Sequence, residues 1–251
     1  MEVHHHPDIH HKKKRWREYF IEFIMIFLAV TLGFFAESYR ESRADRAKEM
    51  EYVKSMIEDA QTDTANYQEA IKLNEIRSDN LDSLAKRSFN YEQKGNNDSM
   101  IYYFIRRAYR HPDYANPTER TLMQLKNSGG MRMIQRKVAV DSIVNYDGFA
   151  MKLVDQRDAY SKFMGALVEQ TMDLVNYDNF NFDTASVMAH RLFAPGKIPK
   201  LMNPDKSRMI LLGNRAMAFN GVVMFYIVRL QEGKQHAMNL ITTLRQEYKM
   251  E

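Results

Sequence analysis

Tyr19-Phe-Ile-Glu-Phe-Ile-Met-Ile-Phe-Leu-Ala-Val-Thr-Leu-Gly-Phe-Phe-Ala36 is one apolar block, and the basic run Lys12-Lys-Lys-Arg-Trp-Arg17 stands directly before it. As a helix, a block of this length reaches ~27 Å, close to the ~30 Å hydrocarbon core of a bilayer. The reading is a membrane-spanning helix with a basic collar formed by Lys12, Lys13, Lys14, Arg15 and Arg17. A cleaved signal peptide has a shorter apolar core, ~7–15 residues, and a small residue two positions before its cleavage residue. Here that place before Ala36 is taken by Phe34, so the block reads as an uncleaved signal-anchor.

Lys and Arg in the short flanks set the orientation of such a helix. The collar is denser and closer to the block than Arg40, Arg43, Arg46 and Lys48 on the far side. The N-terminus is therefore expected in the cytoplasm of a bacterial cell. The anchor then lies in the inner membrane, with the rest of the chain in the periplasm. Trp16, Tyr19 and Tyr39 suit the interfacial belts.

Glu22, Ile26, Ala29, Gly33, Ala36 and Glu37 recur at three- and four-residue steps (Glu37 directly after Ala36), so they share one side of the helix. Ala29-x-x-x-Gly33 is a small-x-x-x-small pair that lets two helix backbones approach in lipid. A carboxylate on that side is better placed between helices than against lipid. The stripe is therefore expected to be a homo-oligomer interface. Snorkelling of Glu22 to the membrane surface beside Arg15 or Arg17 is the competing account of that one side chain.

The remainder has a soluble composition. Charged residues make up 27% of the 251-residue chain, and the formal net charge is +4. Five basic and three acidic residues among the first 18 leave +2 for the other 233, which excludes a nucleic-acid footprint. There is no cysteine, so disulfide frameworks, thiolate metal sites and cysteine nucleophiles are excluded. Six prolines and ten glycines favour long helices, and the 18 methionines suit helix-to-helix packing.

No Pro or Gly occurs from Glu37 to Ser88. Val53, Ile57, Ala60, Thr64, Tyr67, Ile71, Asn74, Leu81 and Leu84 keep the spacing of a packed helix face. Glu58-Asp59 reads as part of the solvated face. A loop at Lys94–Ser99 precedes a short helix over Met100–Arg110, and Pro117 with Glu119 opens another that ends at Asn127-Ser-Gly-Gly130. A second long helix is expected over Met133–Tyr177, with Ile143, Tyr146, Ala150, Leu153, Tyr160, Met164, Leu167 and Leu174 inside. A short helix over Thr184–Phe193 follows, and the last helix runs from near Pro204 to Tyr248. Its buried stripe is Ala216, Phe219, Val223, Tyr226, Leu230, Gly233, Ala237, Leu240 and Leu244. Met209–Val228 is apolar enough to compete as a second span, but Asn214, Arg215 and Asn220 favour a buried central helix.

The expected fold class is thus all-α: one N-terminal transmembrane helix continuing into a long stalk helix, and an antiparallel helical bundle. The expected divisions are a His-rich basic tail over 1–18, the span over 19–36, the stalk helix over 37–90, and a bundle domain over 100–251 that packs with the stalk.

Three stretches carry a resemblance: Lys13 to Ser38, Thr121-Leu-Met-Gln-Leu-Lys-Asn-Ser-Gly-Gly-Met-Arg-Met-Ile134, and Leu244-Arg-Gln-Glu-Tyr248. Together they resemble a bacterial family of single-pass, N-terminally anchored membrane proteins carried as a domain of unknown function. The resemblance implies membrane location and an all-helical exterior domain, with no assigned activity and no catalytic residues to transfer.

His4, His5, His6, His10 and His11 are dense enough to bind a transition metal adventitiously. The favoured reading is a flexible extension of the collar. A Gly-rich phosphate loop, His-Glu-x-x-His and Gly-x-Ser-x-Gly are all absent from the sequence, and His111, His190 and His236 are isolated. Asp178-Asn-Phe-Asn-Phe-Asp183 lacks the glycine and final glutamate of a calcium loop and reads as a turn with a helix cap. The expectation is a non-enzymatic scaffold or partner-binding subunit with no cofactor. Its partners would be the lipid bilayer, further copies of itself and an envelope protein. The alternatives are an extracytoplasmic ligand-sensing domain, or an oligomeric ion or proton pathway through Glu22.

Overall fold

The computed structural model describes residues 16–92, 98–108, 114–181 and 192–250. Among these residues there are five α-helices and no strand; one isolated bridge joins Phe180 and Phe193. The helices are α1 (Trp16–Phe89), α2 (Asp98–Ala108), α3 (Arg120–Asn127), α4 (Lys137–Met172) and α5 (Lys206–Tyr248). The all-α expectation holds. The chain divides into two compact units, one ending at Glu51 and the other starting at Tyr52.

The first unit is the N-terminal part of α1. Its most apolar 18-residue window has none of its residues buried, and Phe23, Ile26, Leu32 and Phe34 each expose more than half of their surface. Trp16 stacks on Phe20 at 5.8 Å, and the described helix already includes Trp16 and Arg17 of the basic run, ahead of Tyr19. Just beyond the block, Arg40 pairs with Glu37 at 2.5 Å on the exposed surface.

The second unit is built on the rest of α1 together with α4 and α5. Tyr67 meets Tyr146, and Arg77 meets Tyr160, so α1 and α4 run parallel. α5 runs antiparallel to both. Against α4 it sets Tyr248 by Arg136 and His236 by Phe149; against α1 it sets Lys234 by Gln68 and Met224 by Ser78. The expected stripes form the core, with Thr64 and Met164 only half-buried. Gly233 lies where the three long helices meet, with Leu153, Phe149 and Tyr67 around it.

The short elements close this core. α2 buries Ile101, Tyr102 and Ile105, and the Tyr102 hydroxyl donates to Lys200 O at 3.0 Å while accepting from Asn176 N at 2.7 Å. α4 is shorter than the sequence predicts because tertiary contacts claim the backbone beyond each end. Ile134 is buried in an extended conformation after a 3-10 turn at Gly130–Met133, and Leu174 O accepts from Met202 N at 3.0 Å. Gly129 takes the left-handed conformation, φ 69°, that the Ser-Gly-Gly ending predicts. Asp205 caps α5 by accepting from Arg208 N at 2.9 Å. The short helix expected over 184–193 lies, but for residues 192 and 193, outside the described residues.

The apolar stretch Met209–Val228 sits inside α5. Ala216, Phe219, Val223 and Tyr226 are buried in the bundle as predicted, and Leu212 is buried with them. The opposite side is also apolar, and Leu211, Met217, Met224, Phe225 and Val228 are exposed along it. α1 and α5 are thus the two described helices long and apolar enough to cross a membrane.

Candidate functional site

Asp59 and Asp63 stand one turn apart on α1 and face the same side. Both are buried, with 3% and 1% of their surface exposed. The expectation of a solvated Glu58-Asp59 pair is corrected here. Successive helical residues point ~100° apart, so Glu58 stays exposed while Asp59 turns inward.

Both carboxylates bind the chain segment that leads into α3. Asp63 Oδ1 accepts from the backbone N–H and the hydroxyl of Thr118, at 2.8 and 2.7 Å. Asp59 accepts from Thr121 N at 3.0 Å and from the Arg120 guanidinium at 2.7 Å. Glu119 at the start of α3 makes no side-chain cap. An orphan N–H of that helix is therefore capped by a carboxylate on α1, the role a local Ser or Asp would ordinarily fill.

The other two long helices hold the same segment. Tyr226 of α5 accepts from Ala115 N at 3.2 Å, and Arg157 of α4 donates to Ala115 O at 2.8 Å. The Tyr114 hydroxyl meets Ser161 Oγ at 2.7 Å, and its ring packs edge-on against Tyr160 and Tyr226. Residues 114–121 thus form a strap clasped by side chains of α1, α4 and α5.

Beneath the strap lies a directional chain of hydroxyls. Tyr146 donates to Asp63 Oδ2, which uses its only proton, so in the 3.4 Å contact between the two phenols Tyr67 donates to Tyr146. Burial pushes the Asp63 carboxyl above its ordinary range, outweighing the donors from Thr118 and Tyr146, and the charge of Asp59 adds to the effect. Burial also pushes the Tyr67 phenol up to about 12 and raises Tyr146 and Tyr226. Roughly two to three turns beyond Tyr67 on α1, the Tyr160 hydroxyl of α4 donates to Asn74 Oδ1 at 2.8 Å and accepts from Arg77. Arrangements of this kind position a segment rigidly.

A cleft of about 380 Å3 adjoins the strap between α3 and α4, and a second of about 360 Å3 lies on its other flank beside Asn66 and Leu73. Among the described residues no group of three or more His, Asp or Glu is placed to hold a metal ion.

Glu22, Ile26, Ala29, Gly33, Ala36 and Glu37 all lie on α1 and are exposed, as is Arg17. A side chain added at Gly33 would meet nothing within 4 Å. Lys12, Lys13, Lys14 and Arg15, together with His4, His5, His6, His10 and His11, lie outside the described residues, as do His111 and His190. His236 is half-buried and stacked on Phe149 at 4.5 Å.

The clasp itself went unread in the sequence, though a signal for it was there. Tyr67, Tyr146, Tyr160 and Tyr226 all fall on predicted core stripes, and a buried tyrosine needs a partner for its hydroxyl. Four such residues on facing stripes point to polar groups nearby, and Asp63 stands one turn from Tyr67.

No family model, no curated protein and no solved structure matches this chain.

Proposed function

We propose that this protein is a non-enzymatic, membrane-anchored helical module that self-associates and serves as a scaffold or partner-binding subunit of the bacterial envelope. The observation that carries the reading is the uncovered apolar block of α1, where none of the 18-residue window is buried. Leaving that much apolar surface in water is unfavourable by ~25 cal/mol per Å2, and a bilayer removes the cost. The basic run before the block supports an N-terminus in the cytoplasm and a bundle in the periplasm. The resemblance of the anchor to single-pass proteins of unknown function points the same way.

Within the membrane, Ala29 and Gly33 are the close-approach positions, with Glu22, Ile26, Ala36 and Glu37 on the same side. The exposed apolar side of α5 supports a binding role for the bundle as well.

The test is the mass of the intact protein in mild detergent. An oligomer is expected, and Gly33→Leu should dissociate it; a strictly monomeric unmodified chain overturns the reading. Glu22→Gln should leave assembly unchanged, whereas a proton conductance that is lost with this variant would favour a pathway instead. The chain has no cysteine, so Met238→Cys gives a single labelling site. An impermeant maleimide should reach it from the periplasmic side.

A further inference from the structure

The cleft between α3 and α4 has an apolar floor and an acidic rim. Leu122 of α3 faces Tyr146, Ala150 and Val154 of α4, which recur at four-residue steps and so share one side of that helix. On the rim, Lys126 is neutralised by Asp147 at 2.7 Å. That leaves Glu119 and Asp155, both exposed, as a surplus of two negative charges.

We infer that this cleft binds a small organic cation with an apolar, ring-sized body. The body lies on Leu122, Tyr146, Ala150 and Val154, and the ammonium group meets the carboxylates of Glu119 and Asp155. The volume of about 380 Å3 is near the lower end of the ~300–1,000 Å3 typical of small-molecule sites. It suits a one- or two-ring amine and is too small for a folded partner. An apolar floor alone does not choose between an amine and an acid of the same shape. The rim does, because the acid would bring a like charge directly against two carboxylates, well within the screening length of ~8 Å.

The walls are fixed before any ligand arrives. The Tyr146 hydroxyl is tied to Asp63, and Thr118 at the mouth is tied to the same carboxylate. A site already ordered spends little binding energy on ordering itself. The inference does not depend on the assembly reading, since every lining residue lies within residues 117–155. Loss of binding and loss of oligomerisation are therefore distinguishable.

Met123 and Met151 line the cleft and serve as reporters. The full-length chain, labelled with 13C at the methionine methyls and held in a non-ionic detergent, is titrated with tryptamine and with indole-3-propionate. The two compounds share an aromatic body and differ in the sign of their charge. The Met123 and Met151 signals, assigned through Met123→Leu and Met151→Leu, should shift saturably with tryptamine while Met238 on α5 stays fixed. Indole-3-propionate should bind at least tenfold more weakly. Glu119→Gln and Asp155→Asn should each weaken tryptamine threefold or more. Val154→Trp, at a position 38% exposed, should fill the cleft and abolish binding at an unchanged melting temperature. If it fails to fold, the two exposed charge variants decide. The inference is overturned by an absent shift, by methionine signals that all move together, by equal binding of the acid, or by charge variants that bind as the parent does.

Discussion

The Tyr146 hydroxyl on α4 donates to the Asp63 carboxylate on α1, joining residues 83 positions apart in the sequence. The same carboxylate accepts twice from Thr118, so one buried acid fastens α4 and the strap before α3 to the first helix. Tyr146→Phe keeps the ring and removes only this donor, together with the acceptor that Tyr67 uses. It should destabilise the protein by ~1–3 kcal/mol, the cost of leaving buried polar groups without partners. Urea unfolding of the full chain in detergent, followed by circular dichroism, measures it.

The acid limb of the stability curve should carry the mark of Asp63. Burial raises its carboxyl above the ordinary 3.8, so the folded protein keeps that proton at pH values where the unfolded chain has lost it. Its contribution is therefore fully present in acid, below 3.8, and is lost as pH rises through the folded value. Asp59, Thr118 and Tyr146 face the group, and the Arg120 guanidinium holds Asp59. In Asp63→Asn this component vanishes. The melting temperature of the parent relative to the variant should fall with rising pH in this interval; a constant difference would contradict the assignment.

At the alkaline end, the Tyr67 phenol is pushed up to about 12 from an ordinary 10. A folded phenol that holds its proton longer than the unfolded one loses stability as pH climbs through that interval. Tyr146 and Tyr226 are displaced in the same direction. In a spectrophotometric titration of the 14 tyrosines, Tyr67, Tyr146 and Tyr226 should ionise late and together with unfolding.

Two glycines of α5 should respond to alanine with opposite signs. A Cβ at Gly233 would come within 3.1 Å of both Leu153 and Phe149 in the interior of the three-helix core. Overpacking of that kind costs ~1–3 kcal/mol, more than the ~1 kcal/mol gained in helix propensity. A Cβ at Gly213 would meet the Phe89 ring first, at 2.5 Å, and that ring is 45% exposed, with solvent rather than core on its open side. Gly233→Ala should lower the melting temperature, and Gly213→Ala should leave it unchanged or raise it.

The helices and their buried faces were legible because apolar spacing is a local property of each segment. Ala216, Phe219, Val223 and Leu230 could be placed in the core from α5 alone. The stripe tyrosines signal buried polar partners, but which residues those are was not legible, because the members of the clasp belong to four segments whose meeting depends on tertiary packing. Nothing beside Asp59 in sequence says that the start of a helix 61 positions later will need a cap. The ends of α4 were misjudged for a related reason: backbone groups near Leu174 and Asn176 bond to distant residues instead of prolonging the helix. In the first unit the stripe from Glu22 to Glu37 was readable as a helix side, and all six of its residues are exposed on α1.

If the block Tyr19–Ala36 holds this protein in a bilayer, alkaline carbonate extraction of membranes from cells producing the full chain should leave it in the lipid pellet. Replacing Ile26 and Leu28 together with Asp should release it. Recovery of the unmodified chain in the supernatant would show that the block is no anchor.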